Sequence, residues 1–170
     1  MSCRRATIWV IAFCFAVAAR AAAQEDEEGI TVGQVPPPAA VQTLDGATVD
    51  LKRVIGLKPA LIEFWATWCP RCRALEPRLN DAAARYRGKV QFLAVAVAVN
   101  ETLASVRRHL ALHPASYPFV WDADGAAVRA FQAPTTSYMV LLGRDGKVFY
   151  TGVGAEQDFE PALAKIAAAP

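Results

Sequence analysis

A short apolar run that leads directly into a closely spaced cysteine pair is the feature that most restricts the fold of this chain. Residues 60–66 read ALIEFWA, and the segment Cys69-Pro70-Arg71-Cys72 follows after two further residues. An apolar run of this length, preceded by a proline, favours a strand that is buried on both faces of a sheet. The cysteines therefore lie at the end of a central strand.

The residues after the first cysteine have helical periodicity. Apolar side chains recur at spacings of three and four between Pro70 and Tyr86, with charged side chains between them. Cys69 would then lie at the N-terminus of a helix, where the helix dipole and free N–H groups favour a thiolate. Cys72 lies about one turn later, close enough for a disulfide to form and open within an intact fold. The pattern predicts reversible two-electron thiol chemistry.

This chemistry assigns a role to each residue of the pair and to the two residues between them. The Cys69 thiolate would attack a partner disulfide as the nucleophile, and Cys72 would resolve the mixed disulfide by attacking the Cys69 sulfur. Arg71 would lower the pKa of Cys69, unless its side chain is only an outward-pointing surface arginine. Pro70 suits the first turn of the helix and removes one N–H donor near the sulfur.

Glu63 is an acid inside the apolar strand. If its side chain is buried, desolvation raises its pKa, and the carboxyl could relay the proton of Cys72 during resolution. The alternative is a side chain on the opposite side of the sheet that reaches solvent or Lys58. We favour the relay, because an isolated buried acid is costly unless it is used.

The rest of the chain alternates between strand and helix patterns. A hairpin is expected at 41–51 around Asp45-Gly46, a dipeptide suited to a tight turn. Further strands are expected at 90–99, 119–121, 138–142 and 147–150, and further helices at 101–112 and 159–168. The order predicts an α/β fold with a mixed central sheet flanked by helices and an N-terminal β-hairpin extension.

The N-terminus has the pattern of a secretory signal. Residues 1–23 have Arg4 and Arg5 near their start, continue with an apolar run and end in three alanines. We expect this segment to be a signal peptide that is cleaved after Ala23. An uncleaved membrane anchor remains an alternative. Residues 24–38 combine an acidic cluster with three prolines and predict a flexible leader. Residues 39–170 would form the folded domain. The protein would be exported to the periplasm or cell envelope.

Charge and cysteine content exclude several other classes of protein. The whole chain has 18 basic and 16 acidic side chains and four cysteines. Cleavage after Ala23 would leave 15 basic side chains and only the two cysteines of the central pair. This balance does not indicate nucleic-acid binding, and two cysteines are too few for a disulfide-stapled scaffold.

The segment 60–77, ALIEFWATWCPRCRALEP, resembles the active-site region of thioredoxin-fold proteins, in particular the exported TlpA/ResA-like thiol-disulfide oxidoreductases. The similarity extends from about Val35 to the C-terminus. It implies a thioredoxin-like domain with no cofactor and no metal, in which Glu63 takes the place of the buried acid of thioredoxin and Trp68 flanks the cysteine pair. Most reducing members have proline at the position of Arg71, so the direction of electron flow stays open.

The resemblance also implies a groove for the partner, shaped by a cis-proline opposite the cysteines. Pro134, followed by Thr135, matches that residue locally, with the extra residues absorbed by a longer strand. Counting back from the turn at Gly146 places Ser137 there instead. We favour Pro134 and expect Trp68, Pro134 and Thr135 to line the groove.

Two other functions compete with disulfide exchange. A copper-binding or chaperone module could use Cys69 and Cys72 together with His109 and His113, although we expect the helix of these histidines to lie on a different side from the pair. A peroxidase would need a threonine three residues before the reactive cysteine, and only Thr67 is near.

The resemblance suggests the partners as well. We expect a monomer that exchanges disulfides with cysteine-containing exported proteins, such as those of cytochrome c maturation. An upstream thiol donor in the membrane is a further expectation.

Overall fold

The apolar run at 60–66 forms the central strand of a mixed sheet. The structure, a computed structural model, describes residues 29–169, and within them seven strands form one sheet in the order β2-β1-β5-β4-β3-β6-β7. In chain order the elements are β1 (Ala40–Gln42), β2 (Thr48–Asp50), α1 (Leu51–Ile55), β3 (Ala60–Trp65), α2 (Pro70–Arg85), β4 (Gln91–Val97), α3 (Leu103–Leu112), β5 (Phe119–Asp122), α4 (Ala126–Ala130), β6 (Tyr138–Leu142), β7 (Val148–Val153) and α5 (Glu160–Ala168).

The strand pairing explains why β3 is apolar. β3 pairs in parallel with β4 on one side and antiparallel with β6 on the other, and all six of its residues are buried. β4 pairs in parallel with β5, so the carboxyl ends of β3, β4 and β5 share one edge of the sheet. The cysteine pair follows β3 at this edge.

The two faces of β3 are covered by different helices. Phe64 packs against Phe131, which follows α4, with ring centroids 5.6 Å apart. Trp65 points to the other face, where its ring lies 5.3 Å from that of His109 on α3. Right-handed crossovers from β3 to β4 and from β4 to β5 place α2 and α3 together on this second face. The mixed sheet flanked by helices is confirmed, with the predicted hairpin forming β1 and β2.

The short helices α1 and α4 were not predicted from the sequence. At the start of α4 the buried Asp122 carboxylate accepts the amides of Ala127 and Val128, at 3.1 and 2.9 Å. These bonds satisfy the free N–H groups of the first turn. Five residues are too few for periodicity to reveal such a helix.

Residues 29–38, predicted as part of a flexible leader, lie against the domain. Ile30 is only 3% exposed, and its amide donates to the hydroxyl of Tyr138 at 3.1 Å. The amides of Gly33 and Val148 donate to the carbonyls of Val148 and Gln34, each at 2.8 Å. The folded unit therefore begins before the predicted boundary at residue 39, because one buried isoleucine and a few backbone hydrogen bonds outweigh the polar composition. The signal peptide predicted at 1–23 and residues 24–28 lie outside the described residues.

Candidate active site

Cys69 and Cys72 form a disulfide at the N-terminus of α2. Their Cα atoms are 5.3 Å apart, within the usual range for a disulfide. Cys69 is the N-cap residue of α2, and its sulfur accepts the Cys72 amide at 3.0 Å. An N–H group aimed at the sulfur and the positive end of the helix dipole both stabilise a thiolate on Cys69 after reduction.

Both sulfurs are shielded from bulk solvent. Cys69 and Cys72 are 2% and 1% exposed in the disulfide form. The flanking Trp68 is 44% exposed, and its indole N–H donates to the carbonyl of Val99 at 2.8 Å. Trp68 thus presents an apolar surface directly before Cys69, and its place in a partner groove stays a prediction.

The residues next to the cysteines differ in the contacts that they make. Pro70 occupies the first turn of α2, as expected for a residue without an N–H group. Arg71 is exposed and makes no ion pair within the described part of the chain, so its effect on the pKa of Cys69 stays a prediction. Arg73 donates to the carbonyl of Thr67 at 3.1 Å and is the arginine that holds the loop before the pair.

The side chain of Glu63 is buried, and the solvent-facing alternative with Lys58 is wrong. Glu63 is 2% exposed. It lies two residues before Trp65 in β3 and so points to the same face of the sheet, the one covered by α2 and α3. One carboxyl oxygen, Oε1, has no hydrogen-bond partner among the described residues. Burial, reinforced by the charge of Glu76, raises the pKa of Glu63 to about 8, although the hydroxyl of Tyr117 opposes the shift. A carboxyl with this pKa can exchange protons near neutral pH.

The predicted cis-proline is not found at Pro134. The described residues contain no cis peptide bond, and Pro134 and Thr135 are exposed in a loop. Ser137 directly precedes β6, is fully buried, and donates its amide to the carbonyl of Phe64 at 2.8 Å. The extra residues are accommodated in the loop, not in a longer strand, so Ser137 takes the position next to β3. A role of Pro134 and Thr135 in binding a partner stays a prediction.

The expectation that the histidine helix lies on another side of the sheet is wrong. α3 lies next to α2: the amide of Ser116, after α3, donates to Asn80 of α2 at 3.1 Å. The rings of His109 and His113 are 4.7 Å apart. No cluster of three or more metal-ligating side chains occurs between residues 29 and 169.

Sequence analysis missed two residues that contact the site. Tyr117 lies beside the Glu63 carboxyl, and burial together with the charge of Glu63 raises its own pKa. Glu101 follows β4, and its Oε2 accepts the amide of Thr67 at 2.8 Å. The position of Glu101 could have been predicted, because loops after neighbouring parallel strands meet at one edge of the sheet.

The central strand is buried and leads into a disulfide at the N-terminus of a helix, and the mixed sheet around it is covered by helices. These features define a thiol-disulfide oxidoreductase of the thioredoxin fold. The family model described as Redoxin matches residues 31–166. The chain therefore belongs to the Redoxin family.

Individual relatives agree with this family assignment. The chain is 32% identical over 146 residues to the thioredoxin-like protein YneN of Bacillus subtilis, with 81% of each chain covered. It is 26% identical over 143 residues to the thiol-disulfide oxidoreductase ResA of Bacillus cereus, covering 83% of this chain and 82% of the relative. A solution structure of a candidate thioredoxin from Neisseria meningitidis matches with a TM-score of 0.66 and 30% identity, over 79% of this chain and 88% of that one.

Proposed function

We propose that the protein is an exported reductant of protein disulfides. The observation that carries this proposal is the buried Glu63 carboxyl, with a pKa of about 8, on the sheet face beneath the helix that carries Cys72. In the reducing direction the resolving thiol must lose its proton before the reduced partner is released, and a base that titrates near neutral pH suits this step. The same carboxyl would return the proton in the oxidising direction, so the direction is the part of the proposal that the redox potential tests.

The proposed reaction has two steps. The Cys69 thiolate attacks a partner disulfide, which forms a mixed disulfide and expels one partner thiolate. Glu63 accepts the proton of Cys72, and the Cys72 sulfur then attacks Cys69, so the second partner sulfur leaves. The dithiol of the enzyme is oxidised to the disulfide as the partner disulfide is reduced to a dithiol. Return to the dithiol form requires an upstream thiol donor, for which a membrane protein is the candidate.

Export and the natural substrate complete the proposal. The signal-like pattern at 1–23 supports export. In the described part of the chain, no helix has the length and apolar character of a membrane span. The resemblance to the TlpA/ResA-like branch makes the cysteine pair of an apocytochrome the candidate substrate.

The deciding experiment is the equilibrium redox potential of the Cys69–Cys72 pair against glutathione. A value near −270 mV is expected for a reductant, and a value near −120 mV would instead make the protein an oxidant. A Cys72→Ser variant should accumulate a mixed disulfide with the true partner, whereas Cys69→Ser should trap none. N-terminal sequencing of the protein isolated from the cell envelope should give Gln24 as the first residue if the signal is cleaved as proposed.

A further inference from the structure

The loop between β3 and α2 is held by the segment that follows β4. Glu101 accepts the amide of Thr67 through Oε2 at 2.8 Å, and the carbonyl of Val99 accepts the indole of Trp68 at 2.8 Å. These contacts join residues more than 30 positions apart in sequence. They act on the two residues that come directly before Cys69.

Two further hydrogen bonds hold the backbone of this loop. Arg73 donates to the Thr67 carbonyl at 3.1 Å, and the Cys69 amide donates to the Ala66 carbonyl at 3.1 Å. The Thr67 residue is therefore fixed on both sides, by a carboxylate at its N–H and by a guanidinium at its carbonyl. Hydrogen bonds to charged groups are roughly twice as strong as neutral ones.

Glu101 itself is built into a rigid support. Asn100 adopts a left-handed conformation, with φ 51°, directly before it. The hydroxyl of Ser105 donates to Oε1 of Glu101, and Ser105 and Thr102 cap α3 reciprocally. Partial burial of the Glu101 carboxyl raises its pKa, but hydrogen bonds from Ser105 and Thr67 outweigh this and hold the pKa below its usual value, so the carboxylate is charged at neutral pH.

We propose that Glu101 is a positioning residue for disulfide exchange: by holding the Thr67 amide it keeps Cys69 at the N-cap of α2 in both the disulfide and the dithiol form. When the disulfide opens, the covalent constraint between Cys69 and Cys72 is lost. The hydrogen bonds of the loop then become the constraint that keeps the Cys69 sulfur at the positive end of the helix, where the thiolate is stabilised. Glu101 acts on Cys69 through Thr67 and not by contact with a substrate.

Four side chains at position 101 separate the hydrogen bond from the charge. Glu101→Gln removes the charge but keeps an acceptor oxygen at the same reach, whereas Glu101→Ala removes both. Glu101→Asp keeps the charge but shortens the side chain by one methylene, so that it no longer reaches Thr67. Gln and Ala are both neutral, and Glu and Asp are both charged. Within each pair, only the first side chain can accept the hydrogen bond from the Thr67 amide, so the comparison isolates that bond from the charge.

Two measurements on the purified protein test the proposal. Hydrogen exchange of the Thr67 amide, followed by NMR, should be about tenfold faster in Glu101→Ala and Glu101→Asp than in the parent, with Glu101→Gln between them. Alkylation of reduced Cys69 by iodoacetamide, read by mass spectrometry of its peptide, should be at least about twofold slower in Glu101→Ala than in Glu101→Gln, because fewer molecules hold the thiolate at the helix N-terminus. Neither measurement depends on the direction of electron flow or on the natural substrate.

The control is Asp81→Ala, which removes an exposed carboxylate from α2 that makes no ion pair within residues 29–169. It should leave both readouts unchanged. Equal Thr67 exchange in the parent and in Glu101→Ala would overturn the proposal. So would faster exchange of that amide combined with equal alkylation of Cys69 in Glu101→Ala and Glu101→Gln, since Glu101 would then be only structural.

Discussion

The charge of Glu76 raises the pKa of Glu63. Glu76 lies on α2, four residues after Cys72, and Glu63 lies in the central strand beneath that helix. The spacing of four residues places Glu76 and Cys72 on the same face of the helix. A partly exposed acid on the helix that carries Cys72 thus influences the protonation of the buried acid.

Glu63→Gln should remove a pH dependence of stability. The pKa of Glu63 rises from an ordinary 4.5 to about 8 on folding, so the folded state binds the proton more tightly than the unfolded state. The parent should therefore lose stability as the pH rises between these two values, by about 1.4 kcal/mol per unit and about 5 kcal/mol in all. Glutamine stays neutral, so the variant should show no such loss from this site.

Urea unfolding of the oxidised parent and of Glu63→Gln at pH 5 and pH 9 measures this difference. The variant should exceed the parent at pH 9 and match it more closely at pH 5. A parent whose unfolding free energy is the same at both pH values would show that the Glu63 carboxyl does not titrate in this range.

Glu76→Gln and Tyr117→Phe should shift the pKa of Glu63 in opposite directions. Removal of the Glu76 charge should lower that pKa, whereas loss of the Tyr117 hydroxyl, which stabilises the charged carboxylate, should raise it above about 8. The measurement is the titration of the Glu63 carboxyl by carbon-13 NMR. Asp81→Asn is the control for loss of a distant negative charge on α2, and shifts of the same sign in both variants would contradict the arrangement.

The parts of the fold predicted from sequence are those with local signals. The strand, the cysteine spacing and the periodicity of α2 all lie within residues 60–86, and the burial of Glu63 follows from its apolar neighbours. Ser137 could not be chosen over Pro134, because only the path of the loop decides where the extra residues go. The side of the sheet on which α3 lies depends on strand order, which the spacing of His109 and His113 does not reveal.

Ile30→Ala should destabilise the domain, although residue 30 lies in the segment predicted to be mobile. Its side chain is 3% exposed in the core, so truncation should lower the free energy of unfolding by about 2–4 kcal/mol. Val32→Ala is the matched control, since Val32 is 55% exposed and should change stability by less than about 0.5 kcal/mol. Thermal or urea unfolding distinguishes them, and equal stability of the two variants would place the start of the folded unit after residue 32.

Ser137→Gly should stabilise the protein. Ser137 has a φ of 63°, which costs a non-glycine residue about 1 kcal/mol, and its buried hydroxyl oxygen has no hydrogen-bond partner among residues 29–169. Glycine removes both costs, so the free energy of unfolding should rise by about 1 kcal/mol. Ser137→Ala removes only the hydroxyl and should gain less.

Ser137→Pro provides the opposite test at the same position. Proline fixes φ near −65° and has no N–H to donate to the Phe64 carbonyl, a bond of 2.8 Å in the structure, so the variant should lose about 3 kcal/mol. Urea unfolding should therefore rank the variants in the order Gly, Ala, Ser, Pro. A proline variant as stable as the parent would mean that residue 137 tolerates a φ near −65°, and that the hydrogen bond to Phe64 contributes little to the junction of β3 and β6.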